Sequence, residues 1–265
     1  MSIILPEIVD SHCHLDFPEL VKDIDNVISR AKRRGVCKFV TICTKEEDLE
    51  KVISLAESFK EIYFAFGLHP MNVSGSSKIS LESLLEAANH PKMVGIGETG
   101  LDYYYTVETK ELQIESLITH IVAARKTNLP LIIHSRNADE DMGNILVGEF
   151  NREPFKCVMH CFSSGEKLAR VTTDLGFYLS MSGIITFPKS EDLRQIFSKI
   201  DKNLILLETD SPYLAPVPNR GKKNEPAFTA DTAKVGAEIF KLNEYDFRRL
   251  TTENFYNLFE KVGKP

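Results

Sequence analysis

Val9-Asp10-Ser11-His12-Cys13-His14 begins as an apolar run and ends in two histidines two residues apart. On a strand such residues project to the same side, so the imidazoles of His12 and His14 point together while Cys13 points away. The same pattern, a short apolar run closing on a metal-ligating residue type, recurs along the chain. Val94-Gly95-Ile96-Gly97-Glu98 puts a carboxylate just past a run and beside glycines that give close access. Ile132-Ile133-His134-Ser135-Arg136 and Val158-Met159-His160-Cys161-Phe162 each place an imidazole at the corresponding point, and Leu207-Glu208-Thr209-Asp210-Ser211-Pro212 ends on an aspartate. Taken singly these have plain structural readings. The histidine pair suits a hydrogen-bonded structural role, Glu98 a salt bridge or helix cap, and Asp210 the start of a turn with Ser211 and Pro212.

Eight such runs are present: Glu7 to Val9, Cys37 to Cys43, Ile62 to Phe66, Met93 to Ile96, Leu131 to Ile133, Cys157 to Met159, Phe177 to Met181 and Leu204 to Leu207. Between them lie stretches with helical apolar spacing, such as Leu20 to Arg34 closed by Gly35, Glu108 to Lys126 and Leu193 to Ile200. Thr229 to Lys241 and Glu244 to Phe259 are expected as closing helices. Continuous apolar strands alternating with helices imply a parallel sheet covered on its faces, and eight units make a closed (β/α)8 TIM barrel. An open doubly wound sheet is the rival, but no Gly-rich phosphate fingerprint follows the first run, where such a sheet usually carries one. A barrel takes roughly 250 residues, so 265 residues are expected to form a single domain, residues 1–265. Pro212 to Pro226, dense in Pro and Lys and without apolar periodicity, reads as a long functional loop.

Charge bounds the partners. A formal net charge of −6 and a pI near 5.7 exclude a protein that grips nucleic acid through a general basic field. An anionic substrate must be held locally, and its binding is expected to be weak and salt-sensitive. Met1 to Asp10 shows no positive region ahead of its apolar residues, and no segment approaches the roughly 18 apolar residues of a membrane span. Five cysteines, several in expected strands, point to buried thiols in a reducing cytoplasm. Cys157 and Cys161 lack the second pair that a zinc knuckle requires.

Parallel barrel strands all end on one face, so His12, His14, Glu98, His134, His160 and Asp210 converge despite their separation in sequence. Converging imidazoles and carboxylates form divalent-metal sites, and clustering Glu98 with Asp210 in the absence of cations would raise their pKa values and cost stability. Six ligands exceed one tetrahedral set. Two divalent ions are therefore expected, with His12, His14 and Asp210 on one, His134 and His160 on the other, and Glu98 bridging. Such ligands accept zinc, manganese or iron, while magnesium prefers more oxygen and water; the ion's identity among Mg, Mn and Zn is open at this point.

Asp-Ser-His-Cys-His-Leu (10–15), Gly-Leu-His-Pro (67–70), Gly-Glu-Thr-Gly-Leu-Asp-Tyr (97–103), Ile-His-Ser-Arg (133–136), His-Cys-Phe-Ser (160–163) and Glu-Thr-Asp-Ser-Pro-Tyr-Leu (208–214) together resemble the TatD-type metal-dependent hydrolases. The Asn219 to Pro226 loop is similar to theirs, as is Thr-Glu-Asn-Phe-Tyr (252–256). The resemblance spans Asp10 to Phe259. It implies an amidohydrolase-like barrel and divalent-metal-dependent deoxyribonuclease action, often 3′ to 5′ exonucleolytic. Two departures, Ser164 where many relatives have glycine and Asn219 where many have histidine, bear on substrate preference rather than on the ligands.

In that reading the ions activate a water, and Asp210, with Glu98, serves catalysis by accepting or orienting its proton. His69 is either a phosphate contact or a turn histidine before Pro70. Arg136 either holds phosphate or pairs with Glu98 or Asp102. Ser163, Arg220, Lys222 and Asn224, all within matched motifs, are expected substrate contacts, although Arg220 and Lys222 also suit a solvated loop. Tyr103, Tyr104 and Tyr105 either stack on a base or pack their loop. His90 and His120 read as structural or surface residues. DNA, or RNA, is the expected substrate, with no membrane and no obligatory protein partner. Two alternatives stand beside this one. The first is a metal-dependent hydrolase of an ester or amide bond, such as a D-aminoacyl-tRNA deacylase. Against it, many such amidohydrolases carry a carboxylated lysine where this chain has Glu98. The second is a catalytically silent nucleic-acid-binding scaffold, which would not need all six ligand types.

Overall fold

A computed structural model describes residues 5–264. The expectation of an absent export signal rests partly on residues 1–4 and to that extent lies outside the described residues. Eight strands, β1 (Ile8–Cys13), β2 (Val36–Cys43), β3 (Ile62–Phe66), β4 (Met93–Asp102), β5 (Leu131–Arg136), β6 (Cys157–Met159), β7 (Tyr178–Met181) and β8 (Ile205–Leu207), run parallel and pair in chain order. Helices lie between and after them, so the expected TIM barrel is what forms, closed but for a short seam between β1 and β8.

Strand alternation builds two cores. Val9, Val40, Ala65, Val94, Ile132, Val158 and Leu206 fill the barrel interior together with Phe255, Tyr256 and Phe259 of the last helix, Glu244–Leu258, and its end. Neighbours such as Ile8, Phe39, Phe64, Met93, Ile133 and Leu207 face the helices, where Leu117, Leu146 and Phe247 meet them. Each fully buried side chain of this size stabilises the fold by about 1.5–3 kcal/mol.

The seam is stitched at the C-terminal ends of the strands. The Asp210 N–H donates to His12 O at 2.9 Å and the His14 N–H to Ser211 O at 2.8 Å, beside an isolated parallel bridge between Cys13 and Ser211. The buried Asp10 carboxylate accepts from the Thr209 N–H at 2.8 Å and the Thr209 hydroxyl at 2.6 Å. Opposite the seam, β4 and β5 approach closely because β4 carries glycine. Gly100 has φ +144, and a Cβ there would lie 1.9 Å from the His134 carbonyl oxygen.

Three strands outrun the apolar runs that announced them. β1 continues through the histidine-bearing segment to Cys13, β4 through Glu98 to Asp102 and β5 through His134 to Arg136. The polar ends of β1 and β4 are themselves buried, while β5 continues through half-buried His134 and Ser135 to exposed Arg136 because it stays paired with Gly100 to Asp102 of β4. The expected Leu20 to Arg34 helix is two pieces, Pro18–Val21 and Ile24–Arg33, and the Glu108 to Lys126 helix starts at Lys110 after a 3-10 turn. The five cysteines are free thiols, three of them buried. Among the described residues no helix is long and apolar enough to cross a membrane.

His120 is structural, as expected. It is fully buried on the Lys110–Thr127 helix; its Nε2 accepts the Leu68 N–H at 3.0 Å and its Nδ1 donates to Ser116 O at 2.7 Å. Burial pushes this imidazole down from 6.5 to about 4. A folded value below the unfolded one means that the unfolded chain protonates first as the pH falls. The stabilising contribution is therefore complete above about pH 6.5 and is lost between there and about pH 4. Denaturant titrations at pH 7 and pH 5 are expected to show His120→Gln losing less stability than the parent over that interval, by on the order of 2 kcal/mol. Parallel losses in the two proteins would mean that His120 is not held neutral.

Candidate metal centre

The strand ends deliver a carboxylate into a ring of imidazoles. Glu98 on β4 is buried, and its Oε1 lies 2.7 Å from His160 Nε2, 3.2 Å from His134 Nδ1 and 3.2 Å from His69 Nε2. Its Oε2 lies 3.3 Å from His12 Nε2. His12 and His14, projecting together from β1 and its end, both face Asp210 Oδ1, at 3.8 and 3.4 Å. The His12 and His160 rings stack with centroids 3.9 Å apart. Asp210 sits in the left-handed region at φ 55, a backbone state that non-glycine residues hold at functional sites when the surroundings impose it.

Three sets of side chains bring ligand atoms within 4.8 Å of one another: His12, Glu98 and His160; His12, His14 and Asp210; and His69, Glu98 and His134. The second is the first-ion set expected from sequence. Around Glu98, His134 and His160 meet, and His69 joins them. These residues fit divalent ions. Both ring nitrogens of His12 and the His14 Nδ1 are buried with no hydrogen-bond partner, and unpaired imidazole nitrogens beside carboxylates are donors awaiting a cation.

Electrostatics agree with the geometry. Burial opposes ionisation of Glu98, yet His160, His69 and His12 around it hold its carboxyl well below the usual range. Burial likewise opposes charge on His160, but Glu98 beside it raises that imidazole well above its ordinary value. His14 is raised against burial by its hydrogen bond to Asp210, and His134 by Asp102 and Glu98. Burial lowers His12 and His69 instead, which favours the neutral imidazole that a metal ion binds.

Behind these residues stands a second layer that the strand-end pattern did not single out. Asp102, fully buried at the end of β4, sets Oδ2 3.0 Å from His134 Nε2. Glu208, also fully buried, lies 3.4 Å from His160 Nδ1 and accepts the Cys161 N–H at 2.7 Å. Each imidazole thus turns one nitrogen to Glu98 and the other to an orienting carboxylate. Glu208 had a sequence signal: it stands two residues before Asp210.

The centre opens into a cleft of about 750 Å³ whose walls include His69, Tyr105, Arg136, Ser163 and Tyr213. His69 orders its turn, its Nδ1 accepting the Met71 N–H at 3.2 Å, and its Nε2 faces Glu98, a partner that the sequence reading did not assign to it. Arg136 pairs with neither Glu98 nor Asp102; its guanidinium lies over the Tyr104 and Tyr105 rings instead. One expected substrate contact is corrected. Asn224 is fully buried, donating to Thr209 O and Tyr213 O and accepting the Glu225 N–H, so its amide is consumed in holding the loop. Arg220 and Lys222 are exposed, with the Arg220 guanidinium 4.5 Å from the Phe187 ring centre.

Fold and site together define a parallel barrel whose strand ends carry a carboxylate–imidazole cluster able to hold metal. The chain matches the family model for TatD related DNase over residues 9–260, and it belongs to that family of metal-dependent hydrolases. It is 40% identical over 257 residues to the uncharacterized metal-dependent hydrolase YcfH of Escherichia coli, covering 95% of each chain. It is 35% identical over 250 residues to the uncharacterized metal-dependent hydrolase YabD of Bacillus subtilis, covering 94% of this chain and 98% of that one. Among solved structures, the TatD homologue YjjV of Escherichia coli superposes with a TM-score of 0.87 at 30% identity, covering 96% and 98% of the two chains.

The orienting carboxylates carry a consequence for metal affinity. Asp102→Asn and Glu208→Gln keep shape while removing charge. Each is expected to weaken divalent-metal binding by roughly 10- to 100-fold, read by competition with a chromophoric chelator on protein of unchanged circular dichroism. Affinity equal to the parent's would show that these groups do not tune the ligands.

Proposed function

We propose that the chain is a divalent-metal-dependent phosphodiesterase that hydrolyses DNA, as a 3′ to 5′ exonuclease on single-stranded or frayed ends. In this proposal the whole chain is one catalytic unit acting in the cytoplasm on DNA, with RNA as a second substrate class and no obligatory protein partner. The observation that carries it is the Glu98 cluster opening into a cleft where Arg136, free of any ion pair among the described residues, lines the wall. A phosphodiester needs charge neutralised on its non-bridging oxygens and on the leaving oxygen, and this arrangement offers both at one place.

Two divalent ions, Mg, Mn or Zn, would be held by His12, His14 and Asp210 and by His134 and His160, with Glu98 between them; when bound they supply Lewis acidity and a water of lowered pKa. Asp210, kept ionised by His14 and His12 against its burial, accepts or orients the proton of the attacking water. Arg136 and His69 hold the phosphoryl group, and Ser163 adds a hydroxyl at the wall. Asp102 and Glu208 keep the His134 and His160 rings turned toward Glu98.

An end-labelled DNA oligonucleotide, given to metal-free protein with Mg²⁺, Mn²⁺ or Zn²⁺ restored, tests the reading. Cleavage restored by an ion is expected, with a ladder shortening from the 3′ end, abolished in Glu98→Ala and reduced at least about a hundredfold in Asp210→Asn. No cleavage with any ion, by folded protein shown to bind metal, would sink the nuclease reading and put an ester or amide substrate in its place.

A further inference from the structure

Three consecutive tyrosines follow β4, and the structure treats them differently. Tyr103 is half-buried, its hydroxyl donating to Asp141 Oδ2 at 2.8 Å with Lys110 Nζ 5.2 Å from its ring centre. It packs its loop. Tyr104 and Tyr105 are 57% and 54% exposed, and their rings meet edge to face at 4.7 Å. Large aromatics left in water are held there at a cost in hydrophobic burial, so they call for a reason other than folding.

Their loop is tied down by hydrogen bonds. Asp102 Oδ1 accepts the N–H groups of both Tyr104 and Tyr105, at 3.0 and 2.8 Å. The buried Gln113 accepts the Asp102 N–H at 2.8 Å and donates to Thr106 O at 2.7 Å. The carboxylate that orients His134 through Oδ2 thus also fixes the exposed rings through Oδ1. From β5, two residues beyond His134, Arg136 lays its guanidinium over both rings, 4.2 Å from one centroid and 4.7 Å from the other. Tyr105 and Arg136 line the cleft of the metal centre.

We propose that Tyr104, Tyr105 and Arg136 form a subsite for an unpaired nucleobase flanking the scissile phosphate. The base stacks on the exposed Tyr105 ring, Tyr104 backs that ring edge-on, and the Arg136 guanidinium, preset by the rings, directs N–H groups to the strand's phosphate. Aromatic faces accept any base, so the subsite selects unstacked ends over duplex without selecting sequence. Its ordering cost is met in the fold, since the loop is already pinned through Asp102 and Gln113. This local grip answers the net charge of −6, which leaves no general attraction for a polyanion. The inference rests on the reading of the cleft as the seat of a nucleic-acid strand.

The test separates base from backbone. Two short single-stranded oligonucleotides of equal length are compared, one of thymidines and one with base-free sugars throughout. Binding is followed through tyrosine emission, which the chain reports directly because it has eight tyrosines and no tryptophan, and by anisotropy of a label on the strand. Tyr105→Ala and Tyr104→Ala are expected to weaken binding of the thymidine strand, Tyr105→Ala about tenfold, and to change binding of the base-free strand less than about twofold. Tyr105→Phe keeps the parent's affinity, because stacking needs the ring and not the hydroxyl. Equal weakening of both strands, or of neither, overturns the subsite. Failure of the parent to cleave any oligonucleotide would count against the phosphodiesterase instead, and the contrast in binding would still decide the subsite.

Discussion

A carboxylate buried among imidazoles is the constraint around which this protein is arranged. Glu98 has four histidine nitrogens within 3.3 Å, drawn from four separate strand ends. A charge so far from water is tolerable only with compensating charge in contact, and removing one partner strands the others. The barrel makes that compensation possible, because parallel strands all deliver their C-terminal ends to one place. Glycine in β4 then lets the Glu98-bearing strand press against the one that carries His134.

The same residues close the fold. His12 O accepts from Asp210 N, His14 N donates to Ser211 O, and Asp10 receives two hydrogen bonds from Thr209 across a separation of 199 residues. Backbone groups of the candidate ligands are therefore barrel hydrogen bonds, while their side chains face the cleft. Stability and ligand geometry are coupled at the β1–β8 seam, and the left-handed backbone of Asp210 is held there by neighbours on both sides. Elsewhere the division common to such barrels applies: the last helix plugs the opposite end with Phe255 and Phe259 and takes no part in the site.

Next to the cluster, buried polar side chains act in series. Asp102 ties the exposed tyrosines to His134, Glu208 ties the Cys161 backbone to His160, and Asn224 ties the long loop to the carbonyls of Thr209 and Tyr213. Each is buried, and each spends its hydrogen-bonding capacity on groups near the metal centre, which fixes the ligands within a rigid surround. The cleft wall is thereby left to residues with free capacity, chiefly Arg136 and Ser163.

Sequence alone determined the class of fold and the six converging residues, because both follow from local rules. Strand runs recur with helical stretches between them, and a ligating residue just past a run in a parallel barrel has one face to go to. The four imidazoles, Glu98 and Asp210 were legible for that reason. Tertiary structure alone decided the rest. That Asp102 serves His134, that Asn224 turns inward and Arg220 lies over Phe187, and that Tyr103 packs while Tyr104 and Tyr105 stand out depends on which partners fold against each residue. Neighbouring residues of one motif carry the same local signal, and only contacts made across the chain separate the one that faces the cleft from the one that holds the loop.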